Sequence, residues 1–317
     1  MSSRGENDGH HEWKGAVMEF DKLGVSCPVE TLSGPEAVAA ARRMEALGYG
    51  TLWFGEAVVG RDPFAMAAYL LGHTERIKVA MGVANVWKRE AAATINAART
   101  LAGLFEDRFI LCVGVSHQKF VDRYGMHYEK PYRFMREYLA KMKAAPFLGP
   151  KLKQEPPLLL AAQMPMMLKL ARQTDGVMVT FAPPALTARA REAVGPQRLV
   201  CAIQAFTLHT DPVRARAIGR QYTAFYSRLP NYRECLLSMG FDEDDFTNGG
   251  SDRLIDAIVA WGSEEALHER LEAQFKAGAD HVNVLALSDA ETGSGHSQTD
   301  EACLRVLAPG RKRTAAV

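Results

Sequence analysis

The chain has 317 residues, 47% of them hydrophobic, with 38 basic side chains against 37 acidic ones and a formal charge of +1. That length supports a sizeable core, and so balanced a charge leaves no broad basic field for nucleic acid or an anionic membrane surface. Five scattered cysteines (Cys27, Cys112, Cys201, Cys235, Cys303) without CxxC spacing, no apolar run near about eighteen residues and a polar start predict reduced thiols in a soluble, cytoplasmic protein.

Residues 1–20 carry charge, Gly and adjacent His10 and His11 without any period, and read as a flexible arm. A first apolar run starts near Leu23. Ser33, Pro35 and Glu36 then form a helix start of the capping-box type, Ala37, Ala41, Met44 and Leu47 supply the apolar stripe, and Gly48 ends it. Thr51-Leu-Trp-Phe54 is a strand, and Asp62-Pro63 opens a second helix. After a strand near Ile77, a third helix shows Ile95, Ala98, Leu101, Ala102 and Phe105 at helical spacing. The Phe109–Val113 strand leads into a polar and aromatic insertion, Ser116–Lys130, before a long helix from about Pro131. Further strands start near Leu158, Val177, Leu199 and Val282. Between Asp211 and Gly262 the pattern is helical with no strand, an expanded crossover broken by Pro230, Gly240 and the acidic run Asp242-Glu-Asp-Asp245, which reads as a solvated turn. Residues 309–317 form a short basic tail.

Eight short apolar runs alternating with helices predict an α/β fold, a closed (β/α)8 TIM barrel over residues 21–308, with an insertion after strand 4 and an expanded helical crossover after strand 7. Chemistry in such a barrel collects at the C-terminal ends of the strands. No phosphate loop, nucleophile elbow, HExxH or dinucleotide fingerprint occurs, and the nine histidines lack metal-site spacing, so no metal is expected. Glu56 is the one charge at the second strand end, either a partner for a basic group such as Arg61 or an anchor at the barrel mouth. At the third strand end, Gly82-Val-Ala84-Asn85-Val86 gives way from strand to a small residue and an amide. The fourth ends in Gly114-Val115-Ser116-His117, where an ordinary histidine would titrate near neutral pH and transfer protons. At the fifth, Ala162-Gln163-Met164-Pro165 would turn free N–H groups toward a phosphate. Trp53, Phe54, Trp87 and Phe181 suggest an apolar, aromatic mouth, suited to a neutral, ring-bearing or lipid-like small molecule.

This order of strand ends resembles the luciferase-like monooxygenase superfamily, and in particular its actinobacterial oxidoreductases that use the deazaflavin coenzyme F420. The matching pieces are Leu47–Glu56, Gly82–Asn85, Arg108–Ser116, Thr174–Met178, Trp261–Glu265 and Ala277–Asn283. The resemblance implies a non-prolyl cis peptide at a third-strand bulge, expected at Ala84-Asn85, with Ala84, Asn85 and Val86 supporting the ring. It implies that Glu56 contacts the deazaflavin, that Gly114, Val115 and Ser116 run along the cofactor tail, and that Ala162, Gln163 and Met164 bind its phosphate. A homodimer is implied as well.

Two positions depart from the pattern: Ala57 stands where several deazaflavin dehydrogenases carry His, and Cys112 where Gly is common. His117 is then the candidate for proton transfer. The expected activity is hydride transfer between C5 of coenzyme F420 and a small organic substrate. An FMN-dependent monooxygenase that uses oxygen is the alternative within the fold, and a non-catalytic flavin-binding protein is a third reading.

Overall fold

Every apolar run read from the sequence becomes a strand in the computed structural model, which describes residues 20–289 and 300–310. Most of the arm expected over 1–20 and of the basic tail lies outside these described residues, as do His10 and His11. The strands are β1 (Leu23–Ser26), β2 (Thr51–Phe54), β3 (Lys78–Asn85), β4 (Phe109–Gly114), β5 (Leu158–Ala161), β6 (Gly176–Val179), β7 (Leu199–Thr207), β8 (Val259–Trp261) and β9 (His281–Ala286). All pair in parallel. β1 to β7 follow one another around the sheet, β7 pairs with β9, and β9 with β1, so eight of the nine strands close a barrel.

Around it lie α1 (Gly34–Ala46), α2 (Pro63–Gly72), α3 (Ala91–Leu104), α4 (Gln118–Val121), α5 (Pro131–Ala144), α6 (Pro165–Leu170), α7 (Pro184–Val194), α8 (Pro212–Tyr226), α9 (Pro230–Leu237), α10 (Asp252–Ile258), α11 (Glu264–Lys276) and α12 (Glu301–Leu307). Their starts follow the capping chemistry of the sequence. The Ser33 N–H donates to Glu36 Oε2 at 2.9 Å, and Asp62 Oδ1 accepts from the Ala65 N–H at 2.9 Å. Gly48, at φ 90°, turns the chain out of α1.

Two expectations need correction. The crossover after β7 contains a strand, β8, alongside α8, α9 and α10. β7 is nine residues long, but β6 pairs with it only as far as Val179↔Ala202. Its free edge beyond that point is taken by Val259–Trp261, paired to Ala205–Thr207. The acidic run is also more than a solvated turn. Asp242 caps it, accepting from the N–H groups of Asp244 and Asp245, while Asp245 is buried against Arg253 and the Ser251 hydroxyl.

Side chains alternate between the barrel interior and the helix layer. Trp53, Ala80, Ile110, Cys112, Leu159, Met178, Cys201 and Ile203 fill the interior as one apolar cluster. Trp53 is its floor. The indole Nε1 donates to His281 Nε2 at 2.9 Å, and His281 Nδ1 meets the Asp21 carbonyl at 2.5 Å. Since the indole N–H only donates, His281 carries its proton on Nδ1. Two glycines make room for the ring: a Cβ on Gly24 would lie 2.8 Å from Trp53 Nε1, and one on Gly82 2.8 Å from Trp53 Cε3.

Candidate functional site

The mouth is built outward from that floor. β3 runs in register with β4 to Gly82↔Cys112 and resumes at Ala84↔Val113, so Val83 is an extra residue without a partner. The cis peptide lies at Gly82-Val83, rather than at Ala84-Asn85 as expected. Gly82 is the position where Trp53 and Met178 leave no space for a Cβ, and the strand therefore departs from regular pairing two residues earlier. Ala84, Asn85 and Val86 are consequently buried, whereas Val83 faces the mouth half-exposed. The Asn85 side chain serves the local turn, its Oδ1 accepting from the Trp87 N–H at 3.1 Å, and the Val86 N–H donates to the Gly114 carbonyl at 3.2 Å.

Beside Val83 stands Gly114, where a Cβ would come 3.2 Å from Val83 Cγ2 and 3.4 Å from Ala161 Cβ. Val83, Gly114 and Ala161 thus form one uncharged surface of small side chains at the ends of three adjacent strands. Across the mouth, at the β1–β9 seam, Ser26 and Leu285 are also half-exposed.

The Glu56 side chain is 5% exposed and fully engaged. Oε2 accepts from the Asn85 N–H at 2.8 Å, and Oε1 pairs with Lys88 Nζ at 2.9 Å. Its basic partner is therefore Lys88 and not Arg61, whose guanidinium donates to the Leu32 carbonyl. Lys88 also donates to the Ala57 carbonyl at 3.3 Å and lies 5.0 Å over the Tyr124 ring. The Tyr124 hydroxyl in turn bonds the Val58 carbonyl. The carboxylate thereby ties the β2 loop, the β3 bulge and the insertion after β4 together.

Val115 and Ser116 lie half-exposed on the way out of β4, with Ser116 at φ 56°. Their carbonyls accept from Trp87 Nε1 at 2.8 Å and from the Tyr128 hydroxyl at 3.4 Å. His117 follows as the N-cap of α4. Its ring lies 5.2 Å from that of Tyr232 and 5.8 Å, edge-on, from that of Phe120. Nδ1 is buried without a hydrogen-bond partner. Burial among aromatic rings pushes the imidazole down to about 4, so the near-neutral titration expected of this residue does not hold.

At the fifth-strand turn, the Ala162 N–H is not free for a phosphate, because it donates to the Met178 carbonyl at 3.1 Å. The Gln163 side chain bonds the Thr180 carbonyl, and Met164 is the N-cap of α6. Gln163 and Met164 remain at the rim, half-exposed.

The aromatic wall differs from the expected one. Trp53 is the floor, and Phe54 faces the helix layer. Trp87 stacks on Phe134 at 3.8 Å, and Phe181 is packed under Tyr222, Tyr226 and Tyr232. The half-exposed wall beside His117 is Tyr232, from the start of α9, which hydrogen-bonds Thr180.

Sequence reasoning missed Val83, Lys88, Tyr232 and the Ser26–Asn283 pair. An amide in the apolar run His281-Val-Asn-Val-Leu-Ala286 was the available signal for the last of these. Three uncharged residues, Val83, Gly114 and Ala161, line one side of the mouth, and Lys88 is paired with Glu56. Among the described residues, no three or more His, Cys, Asp or Glu side chains gather as a metal site, and no helix is long and apolar enough to cross a membrane.

Comparison with known proteins places this geometry in a class. The chain belongs to the luciferase-like monooxygenase family, whose pattern matches residues 22–281. Two curated relatives are 5,10-methylenetetrahydromethanopterin reductases. The protein from Archaeoglobus fulgidus is 27% identical over 80% of this chain and 76% of its own length. That from Methanolobus tindarius is 26% identical over 58% of this chain, which spans 65% of that relative. Among solved structures, the coenzyme F420-dependent tetrahydromethanopterin reductase of Methanopyrus kandleri superposes with a TM-score of 0.69 at 19% identity, covering 91% of this chain and 97% of its own. A type II Baeyer–Villiger monooxygenase component from Pseudomonas putida, in complex with FMN, gives 0.64 at 15% identity, covering 91% and 96%. These structural likenesses are of fold.

Proposed function

We propose that the protein is a coenzyme F420-dependent oxidoreductase that moves a hydride between the deazaflavin C5 and a small, neutral organic substrate. The observation that carries this reading is the uncharged cluster of Val83, Gly114 and Ala161 at the C-terminal ends of adjacent strands, against which a flat ring could rest. The coenzyme F420 dependence of the Methanopyrus kandleri reductase, which shares the fold, supports the same cofactor. Bound there, the deazaflavin would supply hydride chemistry, and the protein would supply orientation and a proton.

Val83 would support one face of the ring, and Gly114, Val115 and Ser116 would border its tail. Gln163 and Met164 would meet the phosphate at the rim, without the Ala162 amide. Glu56 acts in this reading by holding the Asn85 backbone and Lys88, which keeps the bulge in place. Its oxygens are occupied, so the moving proton falls to His117 at its unpartnered Nδ1.

The second reading, an FMN-dependent monooxygenase using oxygen, is supported by the FMN-bound structure of the same fold. Titration of the purified protein with coenzyme F420 and FMN side by side separates the two. Retention of FMN through purification would favour the monooxygenase.

A further inference from the structure

Asn283 is a polar group of the barrel interior that the site described so far does not use. Asn283 lies in the middle of β9, flanked by Val282 and Val284, which pack outward into the helix layer. Alternation along the strand turns Asn283 inward, between His281 at the floor and half-exposed Leu285 above. It is 1% exposed. Its Oδ1 accepts from the Ser26 hydroxyl at 3.1 Å, yet its Nδ2 is buried with no hydrogen-bond partner. Ser26 itself is half-exposed at the end of β1, so the pair stands one layer beneath the open mouth.

A buried amide N–H without a partner is costly, and such groups are rare in folded proteins. At the barrel floor, the comparable donors of Trp53 and His281 are both satisfied. The surroundings of Asn283 are apolar, including Ile203, with which it is in register, and Leu285 above it. Among the described residues, the two strands that carry the pair, β1 and β9, hold no lysine or arginine to balance a carboxylate or phosphate.

We infer that the Ser26–Asn283 pair is the substrate-recognition site of the mouth. Asn283 Nδ2 would donate to a neutral carbonyl or alcohol oxygen, while the Ser26 hydroxyl fixes the amide orientation. The site faces Val83, Gly114 and Ala161 from the opposite side, so an oxygen held there would set its carbon toward a ring resting on those residues. This deepens the oxidoreductase reading and rests on the mouth being a substrate site.

The test uses the full-length protein, with and without coenzyme F420. Its probes are cyclohexanone and the isosteric methylenecyclohexane, which lacks the acceptor oxygen, with binding read by saturation-transfer NMR. Asn283→Leu should weaken cyclohexanone binding about tenfold and leave methylenecyclohexane and coenzyme F420 affinity unchanged. Because it removes an unsatisfied donor, the same substitution should raise Tm by about 2 °C. A structural amide would instead lower Tm and leave cyclohexanone affinity intact, which overturns the inference. Equal loss of both probes, or no cyclohexanone binding to the unaltered protein, overturns it too. Ser26→Ala, which frees the amide orientation, should weaken cyclohexanone severalfold, and an unchanged affinity contradicts the assignment even if Asn283→Leu does not fold. Failure of the unaltered protein to bind coenzyme F420 would sink the cofactor reading and leave the probe results standing on their own.

Discussion

His117 stands in the mouth as an uncharged imidazole whose Nδ1 has no partner, because its neighbours are the rings of Tyr232 and Phe120. If it holds the moving proton, His117→Gln should lower turnover by about 10²-fold or more while leaving coenzyme F420 affinity nearly unchanged. The free-enzyme pH profile should then break near 4 rather than near neutrality. Full turnover in that variant would make the residue a bystander. His281 is also pushed down to about 4, by burial beside Trp53. An unfolded histidine titrates near 6.5, so between that pH and about 4 the unfolded chain binds protons that the folded chain refuses. The stability due to a neutral His281 is therefore complete above about pH 6.5 and is lost as the pH falls toward 4, by roughly 3 kcal/mol. His281→Gln should flatten that slope in denaturation measurements, and an unchanged slope would contradict the assignment. Neither depressed histidine was legible in the sequence. Position named His117 as a strand-end residue, but Tyr232 arrives from more than a hundred residues away, and only the folded chain shows that it desolvates the ring.

At the scale of elements, strands and helix starts were readable because each is a local signal. Apolar runs mark strands buried on both faces, and Ser33 with Glu36, or Asp62 before Pro63, mark helix ends through bonds made within three residues. Two features lack such a signal. The bulge at Val83 adds a single residue to an apolar strand and leaves its composition unchanged; what locates it is Trp53 against Gly82. β8 follows α10 directly at Val259 with no Gly, Pro or Asn between them, and it exists because β7 outruns β6.

A buried amide chain fastens this region. Gln204 Nε2 donates to the Ile258 carbonyl at 2.8 Å, and Gln274 Nε2 donates to Gln204 Oε1 at 2.7 Å and to the Ala182 carbonyl at 2.6 Å. The Thr187 hydroxyl closes the chain on Gln274 Oε1 at 2.6 Å. Replacing Gln274 with Leu strands several buried polar atoms at once, and should cost about 2–3 kcal/mol in chemical denaturation. A change below about 0.5 kcal/mol would show that the network does not hold α7, α11, β7 and the end of α10 together.

Across the whole molecule, the barrel places its polar and small residues where eight strands end, and the long crossover after β7 brings Tyr232 over the opening. The alternation of strands and helices made the barrel legible before any motif was named, since the βαβ period runs through the chain from Leu23 to Ala286. The chemistry of the mouth was legible only in outline. Glu56 was visible as the one charge at a strand end, while its commitment to Asn85 and Lys88 depends on the β3 bulge. The account stands on the surface of Val83, Gly114 and Ala161 receiving a deazaflavin. Parallel titrations of the purified protein with coenzyme F420 and with FMN test it most directly. Micromolar or tighter binding of coenzyme F420, with distinctly weaker binding of FMN, is the predicted result; equal affinity for the two, or FMN retained through purification, would contradict it.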